Sequence, residues 1–148
     1  FAHGYTYTGH PVAAAAALAN ICIMERLDLP KKCADVGAYF QRRLREEVGD
    51  HPLVGEVRGE HLLAAVELVA DKKTKQEFDE SLTVGPRLSK YSIEAGLIVR
   101  SLPLSTAISF SPPLVIGESE VDEALAHFTG ALNRLTDELV KEGTWKAA

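Results

Sequence analysis

"LVGEVRGEHLLAAVELV", Leu53 to Val69, is the stretch on which the fold turns. Before it, apolar residues recur at every third or fourth position. Within it, Val57, Leu62, Ala64, Val66 and Leu68 follow a period near two. That change marks the passage from helix to strand. Leu53 to Arg58 and Leu62 to Val69 read as two strands, with Gly59-Glu60 as the turn between them. A hairpin placed between long helical patterns predicts helices layered on a small, largely antiparallel sheet. This is an α+β arrangement within the broad α/β class.

Working upstream, Cys33, Val36, Phe40, Leu44 and Val48 form the apolar face of a helix that begins near Pro30 and stops at Gly49-Asp50-His51-Pro52. Before Asp28, Pro11 and a run of five alanines predict a first helix over 11–27. It is apolar on nearly every side, a pattern expected of a buried helix with another backbone close by. Downstream, 71–79 is polar and reads as a loop or a short exposed helix. Val84 to Ala95 is a third helix with Gly96 at its left-handed cap. Leu97–Arg100 and Ala107–Phe110 are short strands, the second halted by Ser111-Pro112-Pro113. A last helix opens at Ser119, with Asp122 as a weak capping box, and carries Val121, Leu125, Phe128, Leu132, Leu135 and Leu139 on one face up to Gly143.

The 148 residues suffice for one domain with a core. A formal net charge of −5 leaves no basic stripe to neutralise phosphates, which argues against a nucleic-acid partner. The longest apolar run, Val12 to Met24, contains Asn20 and falls short of the roughly 20 residues of a bilayer crossing, so no membrane role is expected. No basic start precedes an apolar stretch, and a cytoplasmic location is expected. Cys22 and Cys33 fall on apolar helix faces, where reduced, buried thiols are expected.

Two places could carry chemistry. Gly4-Tyr5-Thr6-Tyr7-Thr8-Gly9 runs into a helix start, where free backbone N–H groups, the helix dipole and two threonine hydroxyls suit an anion such as a phosphate. Spacing alone fits equally a capped helix start in which Thr8 serves the local backbone. Arg100 ends the strand "GLIVR" before the turn-rich "SLPLS", where a guanidinium can swing and grip a carboxylate bidentately. A surface ion pair is the plainer use of such a residue. The histidines His3, His10, His51, His61 and His127 show no metal-ligand spacing, so no metal site is expected. No serine lies in a nucleophile-elbow context. Glu67, a lone acid in an apolar strand, is expected to face solvent or to pair with an arginine.

"HGYTYTGHPVAAAAALANI" (3–21) resembles the segment that follows the catalytic-lysine region in class III aminotransferases, the omega-transaminase branch of the pyridoxal-phosphate enzymes. "VGEVRGEHLLAAVELVAD", "EAGLIVRSLP" and "ISFSPPLVIGESEVDEAL" agree in order and spacing, so the resemblance covers essentially the whole chain. It implies a fold-type I transferase with pyridoxal 5'-phosphate on a lysine. Such an enzyme moves an amino group between an amine or omega-amino acid and a keto acid such as pyruvate. It implies a homodimer in which Thr6 reaches the cofactor phosphate of the neighbouring subunit and Tyr5 stands beside that phosphate. It assigns Arg100 to the substrate carboxylate.

The resemblance begins after the cofactor lysine, and none of Lys31, Lys32, Lys72, Lys73, Lys75, Lys90, Lys141 and Lys146 has a comparable setting. The acid that holds the pyridine nitrogen likewise belongs upstream. The chain is therefore expected to be a C-terminal portion, inactive alone. Residues 1–28, the phosphate loop and alanine-rich helix, would belong to the large domain, and 29–148 would form the small C-terminal domain. The exposed alanine helix would favour association. His61 departs from the family, which commonly has glycine there. Two other readings stay open: a stand-alone, non-catalytic binding or oligomerisation module with this fold, and a related lyase, isomerase or decarboxylase.

Overall fold

A computed structural model of the chain describes residues 3–103 and 105–146. Its helices are α1 (Pro11–Arg26), α2 (Leu29–Val48), α3 (Val84–Glu94) and α4 (Glu118–Lys141), with a 3-10 turn at Glu80–Leu82 before α3. The strands are β1 (Val54–Glu60), β2 (Leu63–Leu68), β3 (Arg100–Ser101) and β4 (Ala107–Phe110). They form one sheet in the order β1-β2-β4-β3, antiparallel at every pairing. The α+β expectation therefore holds.

The sheet has two unlike faces because side chains alternate along each strand. Ala64, Val66 and Leu68 of β2 and Ile108 and Phe110 of β4 are buried against α2, α3 and α4. Phe110 lies 5.9 Å from the Phe40 ring of α2 and 4.8 Å from the Phe128 ring of α4, the latter edge-on. Such aromatic pairs add about 0.5–1.5 kcal/mol each beyond the area they bury. On the other face, register sets Arg58, Ala65, Ser109 and Arg100 in one row across all four strands.

Four expectations need correction. The hairpin turn falls at His61-Leu62, two residues later than Gly59-Glu60, because Gly59 serves within β1. A Cβ at Gly59 would meet the Leu63 carbonyl oxygen at 2.2 Å, so its missing side chain is what lets the strands approach. The strand expected at Leu97–Arg100 is reduced to Arg100–Ser101, since β4 offers partners only to these two. At α4 the cap is Gly117, whose N–H donates to Glu120 Oε2 at 2.7 Å, rather than Ser119 with Asp122. Asp122 instead accepts from Tyr39 Oη at 2.8 Å and Arg43 Nε at 3.1 Å, fastening α4 to α2.

The fourth concerns the cysteines: Cys22 is exposed on α1 and Cys33 of α2 is half-buried. α1 itself has no buried residue, the exposure expected of this helix in the chain alone. Among the described residues it packs against α2. The segment 71–79 is a loop. There the Asp71 carboxylate accepts the N–H groups of Lys73 and Thr74, which, with Thr74 the larger influence, hold it below its ordinary value.

Candidate functional site

The turn ahead of α1 is built by local hydrogen bonds. Thr8 N–H donates to the Tyr5 carbonyl at 2.9 Å, and Tyr5 N–H donates back to Thr8 Oγ1 at 2.7 Å. Gly9 takes a φ of 77°, the left-handed conformation that suits glycine. His10 then caps the helix, its Nδ1 accepting from Ala13 N at 3.3 Å, and Pro11 follows in the first turn. His10 is a cap that the sequence reading missed, because histidine carries no strong capping signature. Thr8 thus serves the backbone, as the plainer reading of the loop has it.

Thr6 does not. Among the described residues its hydroxyl has no partner, and neither do the N–H groups of Thr6, Tyr7 and Gly9. Tyr5 and Thr6 are both exposed. One hydroxyl and three amides, open at a single turn before a helix start, fit the several acceptor oxygens of a phosphoryl group. Five of the eight lysines have partners elsewhere in the chain. Lys31 pairs with Asp35, Lys32 donates to the Val115 carbonyl at 2.7 Å, and Lys72 donates to the Gly49 carbonyl at 2.6 Å. Lys75 donates to the Gly55 carbonyl and Lys90 lies 3.9 Å from Glu94.

Arg100 opens β3, and its side chain has no ion pair or hydrogen bond among the described residues. Most other arginines are engaged. Arg43 holds Asp122, Glu46 and Glu47; Arg58 holds Glu56 at 2.9 Å and Glu67. Arg87 holds Glu142 at 2.8 Å and Glu138 at 3.2 Å, and Arg134 holds Glu94 at 2.6 Å. Glu67 therefore has the arginine partner expected of it. The Glu138 carboxyl is held below its ordinary value first by the Tyr91 hydroxyl, then by Arg87 and Arg134.

Arg100 stands between two cavities. One, of about 430 Å³, is bordered by Glu77, Asp79, Glu80, Leu102, Ser105 and Thr106. The other, of about 420 Å³, is lined chiefly by apolar residues, among them Phe40, Leu97, Phe110, Ile116 and Val121. Neither of these two includes Tyr5, Thr6 or a lysine. No group of described residues could hold a metal ion. No helix among them is long and apolar enough to cross a membrane.

At His61 the structure shows the glycine-favouring geometry that the family's usual residue implies. Its φ is 50°, at the first position of a two-residue hairpin loop. Gly37 of α2 lies so close that a Cβ there would come within 2.5 Å of His61 Cα. Buried Gln41 donates from Nε2 to the His61 and Leu63 carbonyls, both at 3.0 Å, docking the hairpin tip on α2.

Residues 1–132 match the family model described as Aminotransferase class-III. A diaminobutyrate–2-oxoglutarate transaminase from Halomonas elongata is 44% identical over 146 residues, which are 99% of this chain and 31% of that protein. Among solved structures, a transaminase from directed evolution by ancestral reconstruction superposes with a TM-score of 0.90 at 54% identity, over 94% of this chain and 30% of the other. A thermostable (S)-enantioselective omega-transaminase from Thermomicrobium roseum superposes at 0.84 with 39% identity, over 91% of this chain and 30% of the other. The chain thus spans about a third of the length of these relatives. It belongs to the class-III aminotransferase family.

Proposed function

We propose that this chain is the C-terminal part of a pyridoxal-phosphate-dependent omega-transaminase. The enzyme moves an amino group between an amine or omega-amino acid and a keto acid such as pyruvate, in the cytoplasm and as a homodimer. Residues 1–28 complete the large domain and 29–148 form the small one. The reading is carried by the turn before α1, where a threonine hydroxyl and three amides stand unused.

Each residue has a separate task. Thr6 Oγ1 and the N–H groups of Thr6, Tyr7 and Gly9 would hold the cofactor's phosphoryl group across the dimer interface, with Tyr5 beside it. Charge-assisted bonds of this kind are worth more than neutral ones and anchor the cofactor without taking part in proton transfer. When bound, the cofactor supplies the electron sink for the reaction. Arg100 takes the substrate carboxylate through two parallel N–H bonds, fixing the orientation of the keto acid. It remains a cation throughout, so no proton is exchanged there.

Equilibrium binding of pyridoxal phosphate to the full-length dimer tests the turn. Thr6→Val keeps the shape and removes the hydroxyl, so the dissociation constant should rise about tenfold. Unaltered affinity would sink the assignment. The 148-residue chain alone should catalyse no transamination. Treated with pyridoxal phosphate and borohydride, it should give no stoichiometric adduct at a single protected lysine, and such an adduct would overturn the claim.

A further inference from the structure

Arg100 has a neighbour whose chemistry is so far unused. Ser109 lies directly opposite it in the β3–β4 register. Opposed residues of an antiparallel pair project from the same face with Cβ atoms about 4.5–5.5 Å apart. Ser109 is half-buried, and its hydroxyl has no partner among the described residues. Other hydroxyls near it are committed to the backbone: Thr106 Oγ1 donates to the Leu68 carbonyl at 2.6 Å, Ser105 Oγ accepts from Ala107 N at 3.0 Å, and Ser89 Oγ donates to the Val99 carbonyl at 2.9 Å. Ser101 alternates to the opposite face from Arg100. Ser111 lies beyond the end of β4.

Both residues border the 420 Å³ cavity at the edge of the sheet, and their side chains rise together from the face turned away from Phe110. A carboxylate offers about four lone-pair sites, of which a bidentate guanidinium occupies two. A hydroxyl on the same face can take one of the sites that remain.

We propose that the Ser109 hydroxyl is a second donor to the carboxylate held by Arg100, and so a determinant of keto-acid specificity. The proposal rests on the reading of Arg100 as the carboxylate residue. Arg100 supplies charge and the two parallel bonds. Ser109 adds a third bond from the neighbouring strand and fixes the tilt of the carboxylate against the sheet. The ligand so recognised carries a carboxylate.

The test is steady-state kinetics on the full-length holoenzyme, with pyruvate as acceptor and benzylamine as a donor that has no carboxylate. Ser109→Ala should raise the ratio of the pyruvate KM to the benzylamine KM about tenfold, and Ser109→Thr, which restores the hydroxyl, should bring it back. Arg100→Ala should raise the same ratio further. If Arg100→Ala raises it and Ser109→Ala does not, the serine assignment is overturned and the arginine reading stands. If Arg100→Ala leaves the ratio where it was, that reading falls and the proposal with it. A Ser109→Ala effect that threonine cannot rescue points to packing alone and likewise overturns the proposal.

Discussion

Helices α1 and α4 lie at opposite extremes of burial. α1 is the more apolar, a 16-residue segment with five consecutive alanines, and none of its residues is buried. α4 carries eight charged residues among its 24, yet buries Val121, Leu125, Phe128, Ala131, Leu132, Leu135 and Leu139. Placement of the large side chains decides the outcome. In α4 they recur at three and four residues and form one stripe. In α1 the larger residues Val12, Leu18, Ile21 and Ile23, at about 100° per residue, are spread over different sides, so no single contact with α2 can bury them. Polar ties reinforce the difference. Asp122 and Glu138 bind α4 to α2 and α3, with the Arg134 guanidinium 4.0 Å from the Tyr91 ring centre, whereas α1 carries the weak Asn20–Met24 contact at 3.7 Å.

The largest effect that could break this contrast is on stability. Phe128→Ala empties a fully buried site and should cost about 3–5 kcal/mol. Leu18→Ala, at a position 64% exposed, should change stability by no more than about 0.5 kcal/mol. Urea denaturation of the 148-residue chain followed by far-UV circular dichroism measures both. Equal losses would mean that α1 is packed in solution.

Self-association comes next. The chain should associate through α1, and Leu18→Lys with Ile21→Lys should weaken that association about tenfold or more, judged from the apolar area withdrawn. Val140→Lys, on the exposed side of α4, should not. Sedimentation velocity over a concentration series distinguishes the two helices. If the Val140 variant dissociates and the α1 variant does not, the sticky surface lies on the wrong helix.

Acid should loosen α4 in two windows. His51 is 3.4 Å from Thr136 of α4, and burial is the main cause that holds its imidazole below the ordinary 6.5. The unfolded chain then binds the extra proton first, so stability is full above pH 6.5 and declines as pH falls towards the lowered value. Asp122 and Glu138 lie below their ordinary 3.8 and 4.5, the first mainly through the Tyr39 hydroxyl and the second mainly through that of Tyr91. Their contribution is complete above those values and is lost as pH falls through the lowered ones. Melting temperatures from pH 8 to pH 3 should fall in both windows. His51→Gln should flatten the first, and Asp122→Asn with Glu138→Gln the second. A profile indifferent to these changes would leave α4 held by packing alone.

The elements legible in the sequence are those whose signal is local. α2 and α4 announce themselves because one stripe of large residues decides both helix and burial. The α1 helix was legible from proline and alanine, whereas its exposure in this chain followed from the family resemblance and not from its own apolar pattern, which reads as a buried helix. The hairpin tip was misplaced because Gly59 looks like a turn residue, while its role is to admit the Leu63 carbonyl. β3 shrank to two residues because strand length is set by what β4 offers. At the candidate site, Thr6 and Arg100 could be named from resemblance to the family. The pairing of Arg100 with Ser109 could not, because register joins residues nine apart only once the sheet exists.

The smallest effect separates backbone strain from packing, and so sharpens the contrast between the helices by removing a third cause. His61 sits at φ 50° where glycine is at ease. A left-handed residue with a Cβ costs about 1–2 kcal/mol, part of which glycine gives back through its freer unfolded chain, so His61→Gly should stabilise by about 0.5 kcal/mol. The bonds that Gln41 makes here go to the backbone carbonyls of His61 and Leu63, so the substitution leaves the docking of the hairpin on α2 in place. The His61 side chain is half-exposed and its ion-pair partner, Glu60 at 3.7 Å, lies on the surface, so little is lost with the ring. The denaturation midpoint should therefore rise slightly with an unaltered slope. A fall of comparable size would show that the imidazole holds the hairpin tip, and that the strain is offset by contacts the ring itself makes.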